Sequence, residues 1–208
     1  MGALIAVTLL VMSDSLASMT RTRKIVLTGG PGAGKTVITH TLASRYPDRF
    51  VLVPEAATHV YSDLATRWDR LDLEGRRRVQ RMIYAHQVGQ EDRVAREHPG
   101  KMLLLDRGTI DGAAYWPDGP GAYWADLGTT NDRELSRYDH VIWLETAAAL
   151  GIYDGDASNP VRFESPAAAV ESGRLLQELW KDHPHLHHVG AFVTLEDKIA
   201  AVMECLGG

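Results

Sequence analysis

The sequence predicts an α/β fold in which a five-stranded parallel sheet carries helices on both faces. Short apolar runs of strand length alternate along the chain with longer stretches of helical periodicity. This alternation is typical of parallel sheets, because each crossover between parallel strands needs a long connection, usually a helix. With 208 residues, 45% hydrophobic and 24% charged, the chain has the size and composition of one globular domain.

The first predicted strand runs directly into a glycine-rich loop. Ile25-Val26-Leu27 is followed by residues 29–36, GGPGAGKT, which match the G-x-x-x-x-G-K-[ST] pattern of a P-loop. A loop that wraps a triphosphate with its N–H groups inward needs glycine, because side chains would obstruct the phosphates. Residues 37–45 have helical character, and the free N–H groups at a helix start favour an anion. The alternative is a glycine-rich turn without a ligand.

Consecutive residues of this loop are predicted to bind the nucleoside triphosphate: Gly30, Pro31, Gly32, Ala33, Gly34, Lys35, Thr36 and Val37. Lys35 should reach the β- and γ-phosphates, and the Thr36 hydroxyl should hold Mg²⁺.

A carboxylate follows the second predicted strand. Residues 50–53 are apolar and end at Pro54-Glu55. Ligands of open α/β sheets gather at the carboxyl ends of strands, so Glu55 is expected to orient an acceptor hydroxyl or to hold a water on Mg²⁺. The alternative is a glutamate that only stabilises the start of a helix.

The third predicted strand, residues 101–106, also ends in an acid. Four apolar residues followed by Asp106, placed after a P-loop, indicate a Walker B strand whose carboxylate lies beside Mg²⁺. A mechanical AAA+ motor would carry a second acid next, whereas this chain has Arg107. That difference favours phosphoryl transfer, with Arg107 stabilising the charge of the moving group. Alternatively, Arg107 forms an ion pair that supports the site.

Aromatic side chains are predicted to wall the pocket of the phosphoryl acceptor. The candidates are Trp68, Tyr115, Trp116 and Trp124, with Asp111 as an additional substrate contact. Aromatic rings serve nucleosides, sugars and other ring compounds alike, so they do not name the acceptor. The alternative is ordinary packing in the core.

Further helices and strands are predicted along the rest of the chain. They are helices over 56–68, 73–98, 145–150, 166–181 and 196–206, and strands over 138–144 and 189–195. The polar connection 151–165 is predicted to be a mobile cover over the phosphates, with Arg162, and less strongly Arg174, reaching in. The alternative is a surface loop with a salt bridge.

Charge and cysteine content disfavour several other functions. The formal net charge of −5 argues against broad nucleic-acid binding, so the arginines at 76–78 and 81 are more simply a solvated helix face. The single cysteine, Cys205, excludes an internal disulfide and fits a reducing cytoplasm. Four histidines between 183 and 188 lack an accompanying carboxylate or cysteine cluster, which disfavours zinc.

The first residues differ from the rest. Residues 2–12 are apolar and resemble a signal-peptide core, but no Lys or Arg precedes them, and the run is too short to span a bilayer. We therefore expect an apolar extension over 1–20, a kinase-like domain over 21–208, a cytoplasmic location and no stable membrane insertion. Secretion is the alternative.

Several motifs together resemble a known family. They are TGGPGAGKT at 28–36, PEAAT at 54–58, LLLDRGTIDGAAYWP at 103–117, YDHVIWLET at 138–146 and NPVRFES at 159–165. The combination resembles P-loop proteins related to the kinase domain of nicotinamide-nucleotide regulators, often labelled AAA-domain or ATP/GTP-binding proteins. The likeness spans residues 23–206, and the DRG-x-x-DG segment is its more specific part.

The resemblance implies a single P-loop domain of the nucleoside-kinase type. The sequence is also similar to deoxynucleoside kinases. In those enzymes a glutamate after the second strand is the base, and an acid-arginine pair follows the third strand. That similarity makes Glu55 the base candidate and matches Asp106 and Arg107 to the pair. Members related to a eukaryotic trafficking protein bind GTP and phosphoinositides, so the family does not fix a substrate.

The expected function is Mg²⁺-dependent phosphoryl transfer from ATP to a hydroxyl of a small ring-containing molecule, with Lys35, Glu55, Asp106, Arg107 and Arg162 as the catalytic set. GTP remains an alternative donor, although no N/T-K-x-D guanine motif is found. A nucleotide-dependent regulatory protein with slow hydrolysis is the alternative function, and a homodimer is compatible with the sequence.

Overall fold

A parallel sheet of five strands lies at the centre of the structure, a computed structural model that describes residues 22–151 and 166–207. The strands are β1 (Lys24–Thr28), β2 (Phe50–Val53), β3 (Met102–Asp106), β4 (His140–Leu144) and β5 (Leu186–Val189). Their spatial order is β2-β3-β1-β4-β5, and every neighbouring pair is parallel. The carboxyl ends of β1, β3 and β4 therefore meet at one edge, where the P-loop begins.

Seven α-helices within the described residues connect and cover these strands. They are α1 (Lys35–Arg45), α2 (Ala56–Asp63), α3 (Leu73–Glu97), α4 (Pro120–Leu127), α5 (Asn131–Leu135), α6 (Pro166–Trp180) and α7 (Leu195–Cys205). Short 3-10 turns cover Trp68–Arg70, Thr109–Tyr115 and Ala147–Leu150. Several helices begin where the sequence supplies a cap: the side chains of Asp72, Thr130 and Thr194 each accept a hydrogen bond from a backbone N–H three residues later.

Apolar residues of the sheet pack on both of its faces. Ile25 and Leu27 pack on one face with residues of α1 and α7, and Val26 packs on the other with residues of α3 and α6. Side chains alternate between faces along a strand, so a continuous apolar run must be covered on both sides. This arrangement confirms the predicted α/β fold with helices on both faces of a parallel sheet.

The strand predicted over 138–144 begins two residues later, at His140, and three other predictions were wrong by more residues or in the type of element. The helix predicted over 56–68 ends at Asp63, because Ala65 adopts a left-handed backbone with φ of 48°. The segment 145–150 contains only a 3-10 turn over Ala147–Leu150. The fifth strand was predicted over 189–195, but it covers Leu186–Val189, where pairing with β4 outweighs the modest strand propensity of histidine.

In the described residues, the structure contains no helix long and apolar enough to cross a membrane. The apolar extension predicted over residues 1–20 lies outside the described residues, as do residues 152–165 of the cover predicted over 151–165.

Candidate active site

The P-loop follows β1 and turns sharply into α1. Gly29, Gly32 and Gly34 have φ values of 137°, 72° and 87°, which side-chain-bearing residues rarely adopt. A Cβ atom on Gly29 would lie 2.2 Å from the Leu144 carbonyl oxygen. A Cβ atom on Gly30 would lie 2.3 Å from the carbonyl oxygen of Ala169 in α6. Both the backbone conformation and the packing of this loop therefore require glycine.

Lys35 lies against the loop from which α1 begins. Its Nζ donates to the carbonyl oxygens of Gly29 at 2.8 Å and Gly30 at 3.0 Å. Burial, together with the positive charge of Arg107, lowers the pKa of Lys35 to about 7. A bound triphosphate would supply negative charge at this point and favour the protonated amine.

Thr36 and Asp106 form the second polar pair at this edge. The Thr36 hydroxyl donates to Oδ2 of Asp106 at 2.6 Å. Oδ1 of Asp106 is buried and has no hydrogen-bond partner in the described part of the chain. Burial raises the pKa of this carboxyl group.

These oxygens suit Mg²⁺, which favours a few protein oxygens together with water and substrate phosphates. Within residues 22–151 and 166–207, no group of three or more His, Cys, Asp or Glu side chains could hold a metal by itself. A magnesium site here would therefore have to include phosphate oxygens and water. The His183 ring, one of the histidines considered for zinc, instead lies 3.0 Å from the Tyr138 carbonyl oxygen.

Glu55 and Arg107 form an ion pair where β2 and β3 end. Nε of Arg107 donates to Oε1 of Glu55 at 2.6 Å, and the Thr58 hydroxyl donates to Oε2 at 2.7 Å. Although burial opposes ionisation, Arg107 and Thr58 lower the pKa of Glu55 to about 2. Glu55 is therefore ionised at neutral pH and can accept a hydrogen bond from a hydroxyl group.

The backbone of Arg107 is held in an uncommon conformation, with φ of 77°. Its N–H donates to the Leu27 carbonyl at 3.1 Å, and its carbonyl accepts from Nε2 of Gln87 at 3.3 Å. Left-handed backbone in a bulky residue costs free energy and persists only where the surroundings enforce it. β1 and α3 together thus fix the direction in which the guanidinium group leaves the chain.

Asp111 lies behind Arg107 and is only 2% exposed. Its oxygens accept from Nη1 of Arg107 at 3.2 Å, from the Thr28 hydroxyl at 2.9 Å and from Nε1 of Trp180 at 2.7 Å. Asp111 was predicted to contact the substrate. In the structure, protein donors surround its carboxylate and connect it to β1, Arg107 and α6, an arrangement that can orient the Arg107 guanidinium.

The four candidate aromatic residues separate into two groups. Trp68 and Tyr115 are in edge contact at 6.3 Å, and the Arg107 guanidinium lies 5.9 Å from the Tyr115 ring. Trp116 and Trp124 instead pack around Tyr123, with ring centroids at 5.4 and 4.9 Å. Only the first pair lies beside the charged residues of the site.

Of the two arginines expected to reach into the site, the structure describes only Arg174. Arg162 lies outside the residues that the structure describes. Arg174 is exposed on α6 and lies 3.9 Å from Glu171.

Sequence reasoning missed residues that contact the site from a distance along the chain. Thr146 and Lys198 hydrogen-bond to the P-loop backbone, and Thr28 and Trp180 hold Asp111. Thr28 and Thr146 follow or end predicted strands, which was an available signal. Lys198 and Trp180 lie within ordinary helical patterns, and nothing in the sequence distinguishes them from surface or core residues.

A comparison with known families identifies the family to which the chain belongs. A family model described as AAA domain matches residues 24–198. The chain belongs to this AAA-domain family. A search of curated proteins found no match.

Among solved structures, the chain is similar to the NadR protein, which was solved in complex with NAD and AMP-PNP. The TM-score is 0.62 and the sequence identity is 16%, over 90% of this chain and 50% of the NadR chain. At this identity the likeness shows a shared P-loop α/β fold. The chain spans about half the length of the NadR chain that it matches.

Proposed function

We propose that this AAA-domain protein is a Mg²⁺-dependent kinase that transfers the γ-phosphoryl group of ATP, or of GTP, to a hydroxyl of a small molecule. The observation that carries this proposal is the Glu55–Arg107 ion pair at the same sheet edge as the P-loop and the Thr36–Asp106 pair. A hydrolytic motor would need a second carboxylate directly after Asp106 to activate water, and this chain has Arg107 at that position.

The phosphate side of the site consists of the P-loop and its first helical turn. Loop N–H groups and the Lys35 ammonium would bind the triphosphate, with Lys35 exchanging the carbonyls of Gly29 and Gly30 for phosphate oxygens. Thr36 would hold Mg²⁺ directly, and Asp106 would hold it through water. When bound, Mg²⁺ would neutralise charge on the β- and γ-phosphates.

The acceptor side consists of Glu55, Arg107 and the Trp68–Tyr115 pair. The acceptor oxygen forms a bond to the γ-phosphorus while the bond between that phosphorus and the bridging oxygen breaks, and the nucleoside diphosphate leaves. A carboxylate with a pKa of about 2 is a weak base, so Glu55 mainly orients the hydroxyl and receives its proton late. Arg107 would stabilise the negative charge that develops on the transferred group.

The acceptor is best sought among ring-containing alcohols. Trp68 and Tyr115 offer aromatic surface beside the ion pair. NadR was solved with NAD and AMP-PNP, which makes nicotinamide riboside a natural member of the set to be tested.

The test is coupled measurement of ADP or GDP release with Mg²⁺ across nucleosides, nicotinamide riboside, sugars and aminocyclitols. Lys35→Ala supplies the blank, and Glu55→Gln should lower turnover with the identified acceptor by roughly 10²–10⁴-fold. An acceptor that raises release well above the water background establishes the kinase. Uniformly slow release from a protein that binds nucleotide tightly would replace this proposal with a nucleotide-regulated binding protein.

A further inference from the structure

Two side chains from distant parts of the chain donate hydrogen bonds to backbone carbonyl groups of the P-loop. The Thr146 hydroxyl, just after β4, donates to the Pro31 carbonyl oxygen at 2.7 Å. Nζ of Lys198, in α7, donates to the carbonyl oxygens of Ala33 at 2.9 Å and Glu145 at 2.5 Å. Both side chains are buried, and Lys198 is 6% exposed.

These contacts determine which way the adjacent N–H groups point. In a planar trans peptide the C=O of one residue and the N–H of the next point in opposite directions. The contact to Pro31 therefore turns the N–H of Gly32 away from Thr146, and the contact to Ala33 turns the N–H of Gly34 away from Lys198. The side opposite these two side chains would then be the side that faces a bound triphosphate.

The loop needs such restraints because its glycine-rich backbone has unusually large conformational freedom. Gly32 and Gly34 can adopt many backbone conformations, and fixing a glycine costs more conformational entropy than fixing any other residue. A loop that is already ordered before the nucleotide arrives loses little further conformational entropy when the nucleotide binds.

Burying a lysine would be a costly way to achieve packing alone. An ammonium group must leave water, and an apolar side chain of similar length would fill the same space at lower cost. Both hydrogen bonds of Lys198 go to backbone carbonyls at the site, one in the P-loop and one at the end of β4. Its positive charge also lies behind a loop that is expected to bind an anion.

We propose that Lys198 and Thr146 are positioning residues for nucleotide binding, which hold loop carbonyls outward and present the N–H groups of Gly32 and Gly34 to the phosphates. This inference rests on the proposed nucleotide site. It makes the C-terminal helix α7 part of the phosphate site.

The experiment measures the affinity of the purified full chain for ATP and for inorganic tripolyphosphate, both with Mg²⁺, by calorimetry. Lys198→Met keeps the length of the side chain but removes its charge and donors, and should weaken binding about tenfold or more. Thr146→Val should weaken it by about threefold, and Thr146→Ser should restore it. Similar losses for both ligands assign the effect to the phosphate-binding loop.

Lys181→Met is the matched control. Lys181 is an exposed lysine that pairs with Glu178, and its loss should leave both affinities unchanged. A purely structural role for Lys198 would lower the melting temperature while leaving the affinity of the folded variant within twofold of wild type. That result would overturn the inference and leave the kinase proposal intact.

Other outcomes separate the two proposals. Wild-type protein that binds neither ATP nor tripolyphosphate at millimolar concentration would overturn the nucleotide site and this inference together. Where Lys198→Met does not fold, the Thr146→Val and Thr146→Ser pair decides: equal affinities for the two variants would overturn the role of the outer contacts.

Discussion

Individual residues in the site differ in whether they face the ligand or act through a neighbour. Glu55 and Arg107 are partly exposed, whereas Asp111 is enclosed by Thr28, Trp180 and Arg107. A buried carboxylate with several fixed donors is well suited to orient a guanidinium group, because it cannot itself rearrange.

Asp111→Asn should therefore lower kcat rather than nucleotide affinity. The amide would replace one hydrogen-bond acceptor of the carboxylate by an N–H donor, which would face the donors that surround position 111. The hydrogen bond that orients the Arg107 guanidinium would then be weaker. We expect kcat with the identified acceptor to fall at least about tenfold, with KM for ATP nearly unchanged. Asp118→Asn, which alters an exposed partner of Arg77, is the control. An increase in KM for ATP at constant kcat would contradict a role in orienting Arg107.

Lys35 should make nucleotide affinity depend on pH. Its pKa is lowered to about 7 in the free protein, and bound phosphates raise it. Binding then takes up a proton above pH 7, so affinity should fall as pH rises, by up to about tenfold per pH unit. Calorimetry between pH 8 and 9.5 measures this slope. Lys35→Met should bind weakly, with a clearly shallower slope, and an equally steep slope in that variant would assign the proton to another group.

At the scale of elements, α6 connects the phosphate side of the site with the acceptor side. Gly30 lies against Ala169 near the start of this helix, and Trp180 at its end donates to Asp111. The same tryptophan leaves no room for a side chain at position 108, where a Cβ atom would lie 2.9 Å from the ring. The glycine of the DRG segment is thus explained by the packing of α6.

Gly108→Ala should loosen the packing of α6 against the sheet. An added methyl group against a buried indole is expected to cost about 1–3 kcal/mol of unfolding free energy, measured by urea denaturation. Gly121→Ala provides the comparison, because nothing lies within 4 Å of its Cβ position in helix α4. That variant should be neutral or slightly stabilised. Equal stability of the two variants would show that α6 can shift without cost.

The elements differ in how far the sequence could predict them. Residues 50–53 form β2 as predicted, and β3 deviates by only one residue, since each is a short apolar run with a clear end. α3 also deviates by only one residue, because Asp72 caps its start and Pro99-Gly100 follows its end, although its buried face consists mainly of Gln and Glu. β5 was misplaced because its histidines are polar and its strand character comes from pairing with β4. Lys35, Thr36 and Asp106 were predictable as local motifs. Lys198 and Trp180 were not, because their roles depend on contacts between residues far apart in the sequence.

Across the whole molecule, the sheet has one edge that carries the candidate site and another that mainly stabilises the fold. Lys24, at the amino end of β1, bonds through Nζ to the buried carboxylate of Glu91 at 2.9 Å. Arg137 and the Tyr138 hydroxyl also donate to Glu91, at 2.9 and 3.0 Å. This network ties α3 to the start of β1 and to the segment before β4. It reaches the acceptor side of the site through Gln87, whose Nε2 donates to Oε1 of Glu91 at 3.1 Å and to the Arg107 carbonyl at 3.3 Å, and none of these contacts touches the P-loop.

Glu91→Gln should therefore reduce stability without reducing nucleotide affinity. It weakens the hydrogen bonds that Lys24 and Arg137 donate to Glu91, although each keeps a second carboxylate, Asp92 at 3.5 Å and Glu134 at 3.6 Å. The expected cost is therefore about 1.5–3 kcal/mol of unfolding free energy. Glu97→Gln, in an exposed pair with Arg93, should cost less than about 1 kcal/mol. Urea denaturation gives the stabilities, and calorimetry with ATP and Mg²⁺ on the folded variants gives the affinities. A fall in ATP affinity comparable to that of Lys198→Met would mean that the two ends of the sheet are coupled, because stability alone does not change the intrinsic affinity of the folded state.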